Sequence, residues 1–231
     1  SISGFGQDGP YVDRPGVDQI AQGMGGLMSI TGAVDGPPTR LGVAFADVVA
    51  GMVATQSVLA ALHQRRDTGV GQHIDLAMLD TTLNMLINVG TGWLNGRAEL
   101  RRYGNAHPTV VPYQVFDAED GVFALAVGTD RMFRDFCTSV IERPDLADDP
   151  RFATSHARAL HRDALLPLLA EVLRTRPVQY WLDGCTRMSV PAGRVKSVAE
   201  ALDSPTVQAR NLLQELDHPE LGTVTLIGPA Q

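Results

Sequence analysis

Cysteine is almost absent from this 231-residue chain. Cys137 and Cys185 stand far apart, with no C-x-x-C spacing, and a secretory leader is not expected. That excludes a disulfide framework and points to two packed thiols in a reducing, cytoplasmic compartment. Lysine is scarcer still: Lys196 is the only one, and the arginines that carry the remaining positive charge form no cluster. With a formal net charge of −7, a nucleic-acid surface is excluded as the main role. Several sites of chemistry are missing too. There is no G-x-S-x-G, and neither cysteine sits in a nucleophile context. The glycines Gly23, Gly25 and Gly26 fail the dinucleotide pattern, because Met28 stands where the third glycine belongs. A flexible turn is the expectation there. Asp145, Asp148 and Asp149 lack the fixed glycine and terminal Glu of an EF-hand and are broken by Pro150. His156 and His161 fall about 140° apart on a helix turning ~100° per residue, so one metal ion cannot suit both. No metal site is expected.

What is present is an ordinary globular composition, 44% apolar and 19% charged, in a chain long enough to bury a core. Its most distinctive stretch is Leu41–Leu62, LGVAFADVVAGMVATQSVLAAL, nearly all apolar or small. Val48, Met52, Thr55, Leu59 and Leu62 recur at steps of three and four, which predicts a buried helix. Asp47 lies on another line with Gly51, Ala54 and Val58. Three readings compete for this acid. It can be a helix-start acid, favoured by the macrodipole by roughly 0.3–1 kcal/mol. It can interrupt a membrane span, at a cost of about 2.5–3.5 kcal/mol near the centre; no aromatic belt or basic flank supports that, and no membrane role is expected. Or it is a working carboxylate among small residues that admit a ligand.

Residues 1–40 are rich in turn formers, with a short helix expected between Asp13 and Met28. Arg65–Gly71 stops the long helix. Ile74, Leu76 and Met78 alternate as a strand, and Asp80 is expected to cap a helix running through Leu83, Leu86 and Ile87 toward Trp93. Helix, turn, strand and helix suggest an α/β arrangement. Residues 96–112 resemble a linker, in which His107 is the one histidine worth keeping as a ligand contact, with a local turn role equally open. A hairpin follows over Tyr113–Phe116 and Val122–Val127. Helices are expected at Arg131–Ile141, Ala157–Arg174, Val178–Gly184 and Val198–Leu202, and a closing strand at Gly222–Ile227. The chain opens at Ser1 inside a turn-rich segment, so a fragment or processed chain is expected.

Taken in order, a set of short motifs resembles the class III coenzyme A-transferase family, the group that includes formyl-CoA transferase. They are Ser3-Gly4-Phe5-Gly6-Gln7-Asp8-Gly9-Pro10, Arg14-Pro15-Gly16 with Asp18, Phe45-Ala46-Asp47, Gly51-Met52 and Thr68-Gly69-Val70-Gly71-Gln72. Further on come Gly104-Asn105, His107-Pro108, Pro112-Tyr113, Asp149-Pro150-Arg151-Phe152, Pro191-Ala192-Gly193, His218-Pro219 and Gly222. Singly these are weak; as an ordered set they cover nearly the whole chain.

The resemblance implies an α/β fold, with a large Rossmann-type domain, incomplete here for want of its N-terminal part, and an inserted smaller α+β domain. Residues 1–98 would belong to the large domain, 99–205 to the small domain with a leading linker, and 206–231 to a segment returning to the large domain. It implies an interlocked homodimer, acyl-CoA and carboxylic acid substrates, and coenzyme A as a thioester substrate with no tightly bound cofactor. Asp47 matches the family's nucleophile. An aspartate is already a carboxylate at neutral pH and attacks a thioester without a base. The implied chemistry passes through a mixed anhydride and an aspartyl-CoA thioester. Phe5, Gln7, Gly104, Asn105 and His107 are expected to contact substrate or CoA, with the His107-Pro108-Thr109-Val110 loop over the site. That loop replaces a glycine run of the formyl-CoA transferases, so formyl and oxalyl substrates are not implied. The related α-methylacyl-CoA racemases pair the aspartate with a histidine where this chain has Val17; with one acid/base group missing, racemase or isomerase chemistry is the disfavoured alternative. A non-catalytic fragment that keeps only fold and dimer contacts is the other.

Overall fold

A computed structural model describes residues 1–97 and 99–229. The chain falls into two compact units, Ser1–Pro108 and Thr109–Gln231. Residue 98, where the sequence reading ends its first segment, lies outside the described residues.

In the first unit, β1 (Ile2–Ser3) is followed by α1 (Asp18–Met24), α2 (Leu27–Ile30), the long α3 (Phe45–Thr68), β2 (Leu76–Ala77), α4 (Met78–Asn84) and α5 (Ile87–Gly96). The alternating strand read over Ile74–Met78 shortens to two residues, because its only parallel partner among the described residues is the two-residue β1. Asp80 is not a cap. Ala77 holds the N-cap position and Asp80 lies inside the first turn of α4, where its charge still suits the helix dipole. Residues 1–7 run along 74–79: Ser1 N donates to Ile74 O at 2.8 Å, and Leu79 N donates to Gly4 O at 3.1 Å.

The long apolar helix is there, stopped by Gly69 in the left-handed region (φ 74°) as a helix C-terminus requires. Its orientation differs from the expectation. The buried residues are the small Ala46, Val49 and Ala50, which let α1 and α4 approach closely. The line of large residues faces outward, with Val48, Met52, Leu59 and Leu62 56%, 60%, 61% and 53% exposed. Periodicity finds an apolar face but not what covers it. By length and composition this helix is also apolar enough to cross a membrane.

In the second unit, β3 (Tyr113–Ala118) and β4 (Gly121–Ala126) form the expected hairpin, joined by Glu119 and Asp120. Phe116 pairs with Phe123, and both point into the core. After α6 (Asp130–Ser139) and α7 (Pro144–Asp148), the single helix read over Ala157–Arg174 is two, α8 (Ser155–Leu160) and α9 (Arg162–Leu173), bent at His161. Pro167 inside α9 has no N–H for the carbonyl one turn back, which already weakens a continuous rod. Next come α10 (Val178–Arg187), β5 (Ala192–Arg194) beside β4, α11 (Val198–Leu202), α12 (Pro205–Ala209) and the hairpin β6 (Leu213–His218) with β7 (Gly222–Ile227).

The core of this unit gathers Phe116, Phe123, Leu125, Phe133, Phe136, Phe152, Leu165, Leu169 and Leu173. Trp181 joins it with its indole N–H satisfied by Leu173 O at 2.8 Å. Both cysteines are buried here, as expected. Burial raises the Cys137 thiol to about 12 and the Cys185 thiol to about 11. Among the described residues one charge is fully enclosed: Arg158 is 0% exposed, donating to Val111 O, Phe152 O and the Asp130 carboxylate at 2.8, 3.0 and 3.0 Å. Its guanidinium also lies over the Phe133 ring, 4.5 Å from the centroid.

Candidate active site

Asp47 occupies the first turn of α3 and is exposed. Among the described residues its carboxylate accepts no hydrogen bond and makes no ion pair. The backbone around it is committed unevenly. Phe45 N donates to Val43 O at 2.8 Å, and Val48 N donates to Ala44 O at 3.1 Å. Ala46 N donates to Asp18 Oδ1 at 2.8 Å. No acceptor among the described residues takes the Asp47 N–H, one of the donors a helix start leaves without an internal partner. One turn further on, a Cβ placed at Gly51 would meet no atom within 4 Å. A carboxylate, a free N–H and open space beside them are what an acyl group would need in order to be attacked and its oxyanion held.

Why α3 begins where it does is settled from a distance. Ala44, at its N-cap position, has no side chain able to cap. Asp18, at the start of α1, supplies the missing acceptor. Its other oxygen accepts from Gln22 Nε2 at 2.8 Å, and Gln22 Oε1 accepts from Leu41 N at 3.0 Å. Gln22 is 0% exposed. The spacing Asp18–Gln22 is one helical turn, so the two side chains meet on one face of α1 and hold the segment 41–46 at both ends. In the sequence Asp18 stands out only beside the Arg14-Pro15-Gly16 motif, and nothing marks Gln22. The signal available was the absence of any capping side chain at Val43 or Ala44.

Phe5 and Gln7 sit in the glycine-rich entry. Gly4 and Gly16 approach so closely that a Cβ on Gly4 would lie 2.6 Å from Gly16 Cα, which admits only glycine. Phe5 packs edge-on against Tyr11 with ring centroids 5.7 Å apart. Gln7 N donates to the Asp75 carboxylate at 2.8 Å. Gly104 adopts φ 59°, and a Cβ on it would stand 3.9 Å from Val34 Cγ2. Asn105 beside it is exposed, His107 half-buried. Their loop is tethered by Arg102, which donates to Ala33 O and Ser29 O at 3.2 and 3.3 Å. So Phe5 is held against Tyr11, Gln7 beside the residue that leads into β2, and Gly104 against the turn after α2. Of the three glycines read as a turn, Gly23 lies inside α1, while Gly25 and Gly26 turn the chain after it: Gly26 has φ 81°, and a Cβ on Gly25 would meet Thr82 Cγ2 at 2.7 Å.

Elsewhere, a cavity of about 430 Å³ opens between the start of α6 and the end of α10, at Thr129, Met132, Arg187 and Ser189. No expected site residue lines it. Among the described residues no three His, Cys, Asp or Glu side chains are grouped to hold a metal ion.

Comparison with known proteins decides the family. Residues 1–230 match the model of CoA-transferase family III. The chain belongs to that family. It is 42% identical over 225 residues to the succinate–glutarate CoA-transferase of Agrobacterium fabrum, covering 97% of this chain and 56% of that protein. With the acetyl-CoA:oxalate CoA-transferase of Acetobacter aceti the identity is 41% over 214 residues, 92% of this chain and 55% of the other. The chain thus spans about half the length of the curated relatives it matches. Its mixed α/β fold matches a CaiB/BaiF family protein from Brucella suis with a TM-score of 0.80 at 36% identity, over 100% of this chain and 64% of that one. The Rv3272 protein of Mycobacterium tuberculosis shares the fold, with a TM-score of 0.87 at 24% identity, over 100% of this chain and 61% of that one.

Proposed function

We propose that this family III chain carries the nucleophile of an acyl-CoA:carboxylate CoA-transferase, and that the nucleophile is Asp47. The observation that carries the reading is the exposed Asp47 carboxylate, unpaired beside its own unused N–H at the start of α3. One carboxylate oxygen attacks the thioester carbon of the donor acyl-CoA, and the CoA thiolate leaves. The product is a mixed anhydride between the acyl group and Asp47. The thiolate then attacks the aspartyl carbonyl, expelling the donor acid and leaving an aspartyl-CoA thioester. The acceptor carboxylate attacks that thioester and releases the thiolate again. Thiolate attack on the acceptor's carbonyl gives the new acyl-CoA and frees the Asp47 carboxylate. Each step exchanges one carboxylate or thiolate for another, so no proton has to move. The Asp47 N–H and its helix dipole stabilise the oxyanions.

Phe5, Gln7, Gly104, Asn105 and His107 belong to the substrate and CoA surface in this reading. Short dicarboxylic acids are the proposed substrates, because named relatives act on succinate and glutarate, or on oxalate. The activity belongs to a polypeptide of the relatives' length, cytoplasmic and without a tightly bound cofactor. In it a large Rossmann-type domain carries a smaller inserted α+β domain, and the last hairpin returns to the large one. Two copies interlock as a homodimer, covering the outward face of α3 with protein rather than membrane.

The test is CoA exchange by that full-length polypeptide. Incubated with succinyl-CoA and glutarate, it is expected to form glutaryl-CoA, followed by mass, and Asp47→Asn is expected to abolish this. Unimpaired exchange by the variant would overturn the assignment. Exchange of α-hydrogens with solvent deuterium in the absence of an acceptor acid would favour racemase chemistry instead.

A further inference from the structure

We infer that Asp18 and Gln22 are positioning residues for Asp47, an inference that rests on the nucleophile reading above. The geometry is a two-point clamp. Asp18 Oδ1 takes the Ala46 N–H at 2.8 Å, one residue from Asp47, across 28 residues of sequence. Gln22 holds Leu41 N at 3.0 Å, where the chain comes in, and the Asp18–Gln22 bond at 2.8 Å locks the two jaws together. Each of the three bonds uses a different polar atom pair, and Gln22 is sealed from water. A buried amide with both ends committed has one orientation.

Between the jaws, residues 42–44 lie outside helix and strand, and no side chain of their own caps α3. The direction in which Asp47 and its N–H leave the first turn is therefore set by α1. A general structural role for Asp18 would lower stability and leave the chemistry alone. A positioning role does something narrower: it leaves substrate affinity nearly intact and slows attack, because a nucleophile displaced by about 1 Å loses on the order of 100-fold in rate.

The experiment uses the full-length polypeptide with Asp18→Ala, Asp18→Asn and Gln22→Met, and reads kinetics together with amide hydrogen exchange at Ala46. In Asp18→Ala, kcat is expected to fall about 100-fold with KM within about threefold, and Ala46 exchange to quicken. Asparagine keeps an oxygen for Ala46 N but offers Gln22 a donor in place of an acceptor, so Asp18→Asn is expected to retain Ala46 protection and lose less in kcat. Gln22→Met is expected to behave similarly. Unchanged Ala46 exchange in Asp18→Ala overturns the inference. So does a rise in KM at constant kcat, or equal losses in Asp18→Ala and Asp18→Asn. If Asp18→Ala fails to fold, the other two variants decide by kinetics: a fall in kcat with KM within about threefold is expected, and a kcat equal to the parent's, or a rise in KM at constant kcat, overturns the inference. Full turnover in Asp47→Asn would remove the nucleophile, yet Ala46 exchange would still report whether the clamp exists.

Discussion

Asp18 caps a helix to which it does not belong: its carboxylate accepts the N–H of Ala46, 28 residues later, at 2.8 Å. A cap of this kind contributes about 1 kcal/mol. Asp18→Ala is expected to lower the free energy of unfolding by that amount, measured from the urea midpoint at unchanged slope. No shift in the midpoint would mean that water serves Ala46 equally well.

Arg158 is the corresponding tie in the second unit. Its guanidinium is wholly buried and binds Val111 O, Phe152 O and Asp130. Removing it strands two carbonyls and opens a hole over Phe133. Arg158→Met is expected to cost about 3–5 kcal/mol in denaturant unfolding. Arg158→Lys should recover only part, since an ammonium cannot copy a planar fork. A loss below about 1 kcal/mol for the methionine variant would contradict this.

Asp120, in the β3–β4 turn, accepts from Val178 N at 2.7 Å and pairs with Arg194 at 2.9 Å. The Val178 bond, followed by Arg194, holds its carboxyl below the ordinary 3.8. A carboxyl with a lowered folded value stabilises above its unfolded value, and that stability is lost as pH falls through the folded value. Asp120→Ala is therefore expected to lower the melting temperature at neutral pH, the deficit shrinking as pH falls below 3.8. A deficit constant from neutral pH to strong acid would contradict the pairing.

Cys137 and Cys185 are raised to about 12 and 11 by burial. Neither thiol is a usable thiolate at pH 8. A disulfide reagent is expected to label both only as fast as the protein unfolds. Rapid labelling of the native protein would show that one of them is reachable.

Much of this was legible in the chain. The ordered motifs around Phe5, Asp47 and Gly104 pointed to the family, and local patterns located the β3–β4 hairpin, α11 and β7 because turn residues and alternation are short-range signals. The misses are long-range. That α3 buries Ala46, Val49 and Ala50 while Met52 and Leu59 face outward depends on what packs where, which periodicity does not encode. The break at His161 leaves a single helical pattern intact on either side. The Asp18–Ala46 bond joins segments that only folding brings together; its one trace in sequence is a long helix beginning after Val43 and Ala44 with no cap of its own.

The decisive experiment for Asp47 is to look for CoA bound to its carboxyl group. The full-length polypeptide, incubated with succinyl-CoA alone and digested, is expected to yield a peptide containing Asp47 heavier by one CoA less water, absent from Asp47→Asn. Turnover without that adduct, with Asp47→Asn as active as the parent, would contradict the account.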